Sequence, residues 1–86
     1  MDAARELTEV FLRERPDEAA RLLERLPAAE IAALFAEVEP EASAAVLQRM
    51  SAAPAVEALA QAPPEDVSPV VEQLPVDFAA SLFRGL

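Results

Sequence analysis

Residues 16–40 read PDEAARLLERLPAAEIAALFAEVEP, with proline at 16, 27 and 40. Between the first two prolines the apolar side chains fall at Ala19, Leu22, Leu23 and Leu26. Between the second pair they fall at Ile31, Leu34, Phe35 and Val38. Spacings of three, four and seven put each set on one face of an α-helix, whereas a strand would alternate by two. Proline suits the first helical turn, where its missing N–H has no intrahelical acceptor to lose. The stretch therefore reads as two short helices of roughly ten residues, ~15 Å long, each opened by a proline.

Shifting the chain by 24 residues extends this reading in both directions. Pro16 falls on Pro40 and Pro64, Leu22 on Val46 and Val70, Leu23 on Leu47 and Val71, and Leu26 on Met50 and Leu74. A second set moves in step. Leu7 falls on Ile31, Ala55 and Ala79; Val10 on Leu34, Ala58 and Leu82; Phe11 on Phe35, Leu59 and Phe83. Val38 falls on Ala62 and Leu86, and Glu14 breaks that last column at the N-terminal end. Ser51 takes the place of a helix-opening proline in the fifth helix and is expected to cap it. Seven helices are predicted, near 3–14, 17–26, 28–38, 41–50, 52–61, 65–74 and 76–85. Helices this short are unstable alone. Each has to bury its stripe on a neighbour, so the expected architecture is all-α, a small α-solenoid of helix pairs repeating every 24 residues over a single domain, 1–86. Alanine columns such as 55, 58, 62 and 79 allow close helix approach.

Pro69 falls on Ala45 and Arg21, inside a helix, where a proline costs about 3 kcal/mol. The sixth helix is therefore expected to kink, or to start late with Ser68 as its cap. Leu82, Phe83 and Leu86 are stripe residues with no following helix in the sequence to cover them. A finished solenoid carries a polar cap. These three are the candidate interaction surface, and the chain is expected to be a piece of something longer or to meet a partner there.

Composition narrows the function. The 86 residues contain 20 alanines, no Cys, His, Lys, Asn, Trp or Tyr, and one Gly. Without Cys or His there is no thiolate or imidazole metal site. The hydroxyls of Thr8, Ser43, Ser51, Ser68 and Ser81 have no His or Lys to activate them, and Gly85 alone cannot form a phosphate-cradling loop. The chain is expected not to be an enzyme. A net charge of −9 argues against nucleic acid or an anionic membrane surface as partner. No apolar run approaches the ~20 residues of a membrane span. A soluble, cytoplasmic domain is expected.

Five of the seven arginines lie at or before Arg25, and several carboxylates stand at helical spacing from them: Glu9–Arg13, Asp17–Arg21 and Glu18–Arg21. Beyond Arg25 the acids read as mostly unpaired. Asp17, Glu41 and Glu65 align under the 24-residue shift, as do Glu18 and Asp66, at helix starts that favour negative charge. Clustered carboxylates are also what Mg²⁺ and Ca²⁺ seek. Repeat-equivalent acids are about 10 Å or more apart, so only local neighbours can share an ion. The candidate ligands are Glu37, Glu39 and Glu41, and Glu65 with Asp66. All would be weak without oxygen from a second domain.

The proline-started pattern P-x-x-x-A-x-x-L-x-x-L, seen in PDEAARLLERLP, PAAEIAALFAEVEP, PEASAAVLQRM and PEDVSPVVEQLP, resembles the intracellular N domain of MgtE-type magnesium transporters. The resemblance spans about residues 3–86. Similar superhelices of short helices occur in the N-terminal domain of the flagellar switch protein FliG, so fold alone does not assign function. The resemblance implies a right-handed superhelix on the cytoplasmic side, ahead of CBS domains and a membrane pore. It also implies a regulatory role in which Mg²⁺ bridges acids at domain interfaces. The partner would then be a following CBS-type or membrane domain. The alternative is a non-catalytic interaction solenoid with no metal role, binding another protein at the apolar C-terminal end. This chain contains neither CBS domains nor membrane spans.

Overall fold

The computed structural model describes the backbone of residues 3–85 and the side chains of residues 8–84. Seven α-helices make up this part: α1 (Ala3–Glu14), α2 (Pro16–Leu23), α3 (Ala28–Glu37), α4 (Pro40–Leu47), α5 (Ala52–Gln61), α6 (Pro64–Glu72) and α7 (Val76–Gly85). Every expected helix is present, and no strand occurs among the described residues.

Two kinds of corner alternate along the chain. After α2, α4 and α6 the backbone tightens into i→i−3 hydrogen bonds: Leu26 N–H to Leu23 C=O at 2.9 Å, Met50 to Leu47 at 3.2 Å, Leu74 to Val71 at 3.0 Å. Such 3₁₀ turns commonly close a helix. The even helices consequently end at Leu23, Leu47 and Glu72 rather than at 26, 50 and 74. After α3 and α5 two residues instead turn extended, Val38 at φ −112°, ψ 164° with Glu39 at φ −63°, ψ 142°, and Ala62 at φ −84°, ψ 147° with Pro63 at φ −64°, ψ 149°.

The residues that enter helices α2 to α7 are Arg15, Pro27, Glu39, Ser51, Pro63 and Pro75, spaced by twelve. Prolines thus occupy two distinct places. Pro16, Pro40 and Pro64 are the first helical residues, whereas Pro27 and Pro63 are the N-caps of α3 and α6. The entry amides are consistently dealt with. Three belong to proline and do not exist. Arg15 N–H reaches Phe11 C=O at 2.8 Å. Glu39 N–H donates to the Glu9 carboxylate at 2.9 Å, and Ser51 N–H to the Glu24 carboxylate at 2.7 Å. Ser51 makes no side-chain cap, so the expected hydroxyl cap does not form; its own amide is instead held by a carboxylate arriving from α2's end.

Alternate helices stack. α2, α4 and α6 pack in succession, as do α3, α5 and α7, while α1 lies across α4 and α2. The stack measures 36 × 25 × 23 Å with a radius of gyration of 11.7 Å, the size expected of a folded chain this long, about 12 Å. The core lies between the two stacks. Ala42, Ala55 and Ala58 are fully buried where helices meet, and Ile31, Leu47, Val46 and Val70 are its largest sealed side chains. α6 runs from Pro64 through Pro69 as one helix, so a late start capped by Ser68 does not occur. The carbonyl that Pro69 leaves without an in-helix donor belongs to Glu65, an exposed residue of the first turn.

Among the described residues Ser43 is the one buried polar side chain. Its Oγ has no hydrogen-bond partner and borders an apolar void of about 10 Å³ lined also by Leu12, Phe35 and Leu47. An unsatisfied buried hydroxyl costs about 1–3 kcal/mol. Ser43→Ala is accordingly expected to raise the melting temperature, by about 4–8 °C for each kcal/mol recovered. An unchanged or lower midpoint in thermal denaturation would contradict this account of the hydroxyl.

Candidate functional site

The five candidate metal ligands stand on two helix entrances. Glu37 closes α3, Glu39 is the N-cap of α4, and Glu41 lies in α4's first turn. Glu65 and Asp66 lie in the first turn of α6. Their local cause is the same. Each entrance leaves amide N–H groups without intrahelical acceptors, and acids are favoured beside them.

The first entrance is already partnered. Arg13 Nη2 lies 3.0 Å from Glu41 Oε1, and Arg13 Nη1 lies 3.8 Å from Glu9 Oε1. The other oxygen of Glu9 accepts the Glu39 amide. One α1 carboxylate and one α1 guanidinium therefore tie down the start of α4. This corrects the reading of Glu41 as unpaired, because the cation that meets it is 28 residues earlier in the chain. Only one of the three expected local pairs, Glu9–Arg13, forms. Glu18 pairs with Arg15 at 3.1 Å, and Asp17 with Arg49, just past the end of α4, at 3.5 Å. Stacking brings helices together that spacing along one helix does not reveal.

The second entrance is open. Glu65 is exposed, Asp66 is half-buried, and neither makes an ion pair among the described residues. Glu37 is likewise without a cation. Among the described residues no group of three or more acidic side chains is gathered to hold a metal ion. Carboxylate oxygen suits Mg²⁺, which keeps several waters and is commonly held by only one or two carboxylates. Glu65 with Asp66 matches such a half-site in donor chemistry, not a closed cage.

The C-terminal surface is only partly as expected. Leu82 is 4% exposed and belongs to the core. Phe83 is 47% exposed, and Leu86 lies outside the described residues. Phe83 borders an open groove of about 390 Å³ whose other walls are Pro64, Val67, Ser68, Val71 and Glu72 of α6. The groove was hidden in the sequence because Val67 and Val71 look like ordinary stripe residues. The signal available was their columns, since Val67 falls on Ser43 and Ala19, and Val71 on Leu47 and Leu23. At the other end Leu22 and Leu26, expected on the buried stripe, are 54% and 42% exposed. α2 is the first member of its stack, with no even helix before it to cover these side chains.

No helix among the described residues is long and apolar enough to cross a membrane. No curated protein and no solved structure matches the chain. One family model, described as the MgtE intracellular N domain, matches residues 14–86. That span holds all three complete proline-started even helices and the stacks they build. The chain thus belongs to the MgtE intracellular N domain family.

Proposed function

We propose that the chain serves as a cytoplasmic regulatory domain of a magnesium transporter or a related multidomain protein, sensing Mg²⁺ through acidic residues at its interfaces. The observation that carries this reading is the family match over residues 14–86. The open entrance at Glu65 and Asp66 supports it, because two carboxylates without a cation gain from a divalent ion. A following CBS-type or membrane domain would supply the remaining oxygens. The ion would then favour the arrangement in which the two surfaces meet, since a ligand stabilises whichever state binds it better.

Mg²⁺ at ten times its Kd is expected to stabilise the isolated domain by about 1.4 kcal/mol. A thermal melt in millimolar Mg²⁺, compared with Na⁺ at matched ionic strength, reads this directly. Glu65→Gln combined with Asp66→Asn should remove the difference. An Mg²⁺ melt that coincides with the Na⁺ control would rule out a site within this domain.

A second reading, an interaction solenoid without a metal role, is favoured by the half-exposed Phe83 and the groove beside it. It predicts protein binding that is insensitive to Mg²⁺.

A further inference from the structure

The groove between α6 and α7 has the form of an interlayer surface. Several of its residues are more exposed than their counterparts earlier in the stack. Ser68 is exposed where Ala20 and Ala44 are buried, and Phe83 is exposed where Phe35 and Leu59 are buried. Val71 is half-buried where Leu47 is sealed. α2 packs on α4 and α4 on α6, so each earlier even helix has a following even helix beside it. Among the described residues no helix plays that part for α6.

Two carboxylates mark where such a helix would lie. Glu9 accepts the amide of Glu39, the N-cap of α4, 30 residues later. Moving this pair on by one repeat gives Ala33 and Pro63. There the proline has no N–H, and the carboxylate is absent too. Moving it on again gives Glu57, exposed and without a partner among the described residues, in register with the N-cap position of a next even helix. Asp17 pairs with Arg49, which follows the end of the next even helix. Its counterpart two repeats on is Glu65, whose cation is missing among the described residues.

We propose that this groove binds a short partner helix in the position of a further even helix. The helix has a non-proline N-cap whose amide meets Glu57, an apolar stripe against Val71 and Phe83, and an arginine just past its end that meets Glu65. The proposal does not rest on Mg²⁺ binding; an arginine meeting Glu65 would compete with an ion held there, so the test is run without Mg²⁺. It rests on continuity with the α2–α4–α6 stack and on the two unmatched carboxylates.

The chain's own segment Glu39–Met50 (EPEASAAVLQRM) has all three features and serves as the probe. A free helix of this length is marginal, so the segment is joined directly after Leu86, which puts its first residue in register with Glu57. Tethering supplies a millimolar effective concentration. The fused chain is expected to melt at least about 4 °C above the unmodified one, a shift worth roughly 1 kcal/mol in a domain this size. The gain should fall by half or more with Glu57→Gln, with Glu65→Arg, or with Phe83→Ser. Each variant is compared with the same variant lacking the tether. Equal stabilisation by a scrambled tether of the same composition would overturn the proposal. So would concentration-dependent dimerisation of the unmodified chain in sedimentation that Phe83→Ser abolishes, since the groove would then be filled by a second copy.

Discussion

Leu47→Ala is expected to lower the melting temperature by at least about 10 °C and to leave the domain partly unfolded at physiological temperature. Leu47 is 1% exposed, on the helix that packs against α1, α2, α3 and α6. Truncating a buried leucine costs about 2–5 kcal/mol, more where the surroundings cannot collapse into the space. Here collapse is hindered. Leu47 already borders a void, and three of the helices packed on α4, namely α2, α3 and α6, have a proline at or just before their first residue. The total stability of a chain this size is only roughly 4–13 kcal/mol, so the loss is a large share of it. Leu22→Ala is the control. It removes the same atoms from the same stripe one repeat earlier, at a position 54% exposed, and should cost less than about 1 kcal/mol. Urea denaturation of both variants measures the contrast. Similar midpoints for the two would show that α4 is not the centre of the stack.

Ala58→Asp is expected to abolish the cooperative fold. Ala58 is fully buried on α5, between α3 and α7. The contact is close because the side chain is a single methyl. An aspartate there would force the helices apart and place a charge where no described cation reaches. The effective penalty for burying an unpaired ion is several kcal/mol, comparable with the whole stability margin. Ala60→Asp on the exposed face of the same helix should be nearly neutral. Circular dichroism separates the outcomes, and a sharp thermal transition retained by Ala58→Asp would refute the packing described for α5.

Helix number and helix starts were legible in the sequence because proline and the apolar period act locally. Helix ends were less so. Leu26, Met50 and Leu74 keep the apolar spacing although they lie in 3₁₀ turns, and a period cannot tell a tight turn from a last α-helical one. The side of the stack that a stripe residue faces was also illegible. Leu22 and Val46 share a column, yet one is exposed and the other is 2% exposed, because the first helix of a stack has a neighbour on one side only. Glu41, Glu65 and Asp66 were located correctly at helix starts. The partners of the acids were not, since Arg13–Glu41 and Asp17–Arg49 join helices rather than turns of one helix. Glu9 and Glu24 showed no sign of their role as caps, because the amides they serve are 30 and 27 residues away.

The twelve-residue spacing of the helix entrances also governs how the chain can change in length. Deleting residues 28–51 would join Pro27 to Ala52, so an odd helix would still follow an even one and every stripe would keep its side. Pro27 would then open α5 in place of Ser51, and Glu24 would lose the amide it holds without leaving that amide bare. Deleting only twelve residues would put an odd helix in an even place, with a 3₁₀ corner where an extended one is needed and a stripe turned from the core. Length variation among chains built on this plan should therefore come in steps of 24, with single-helix losses confined to the two ends.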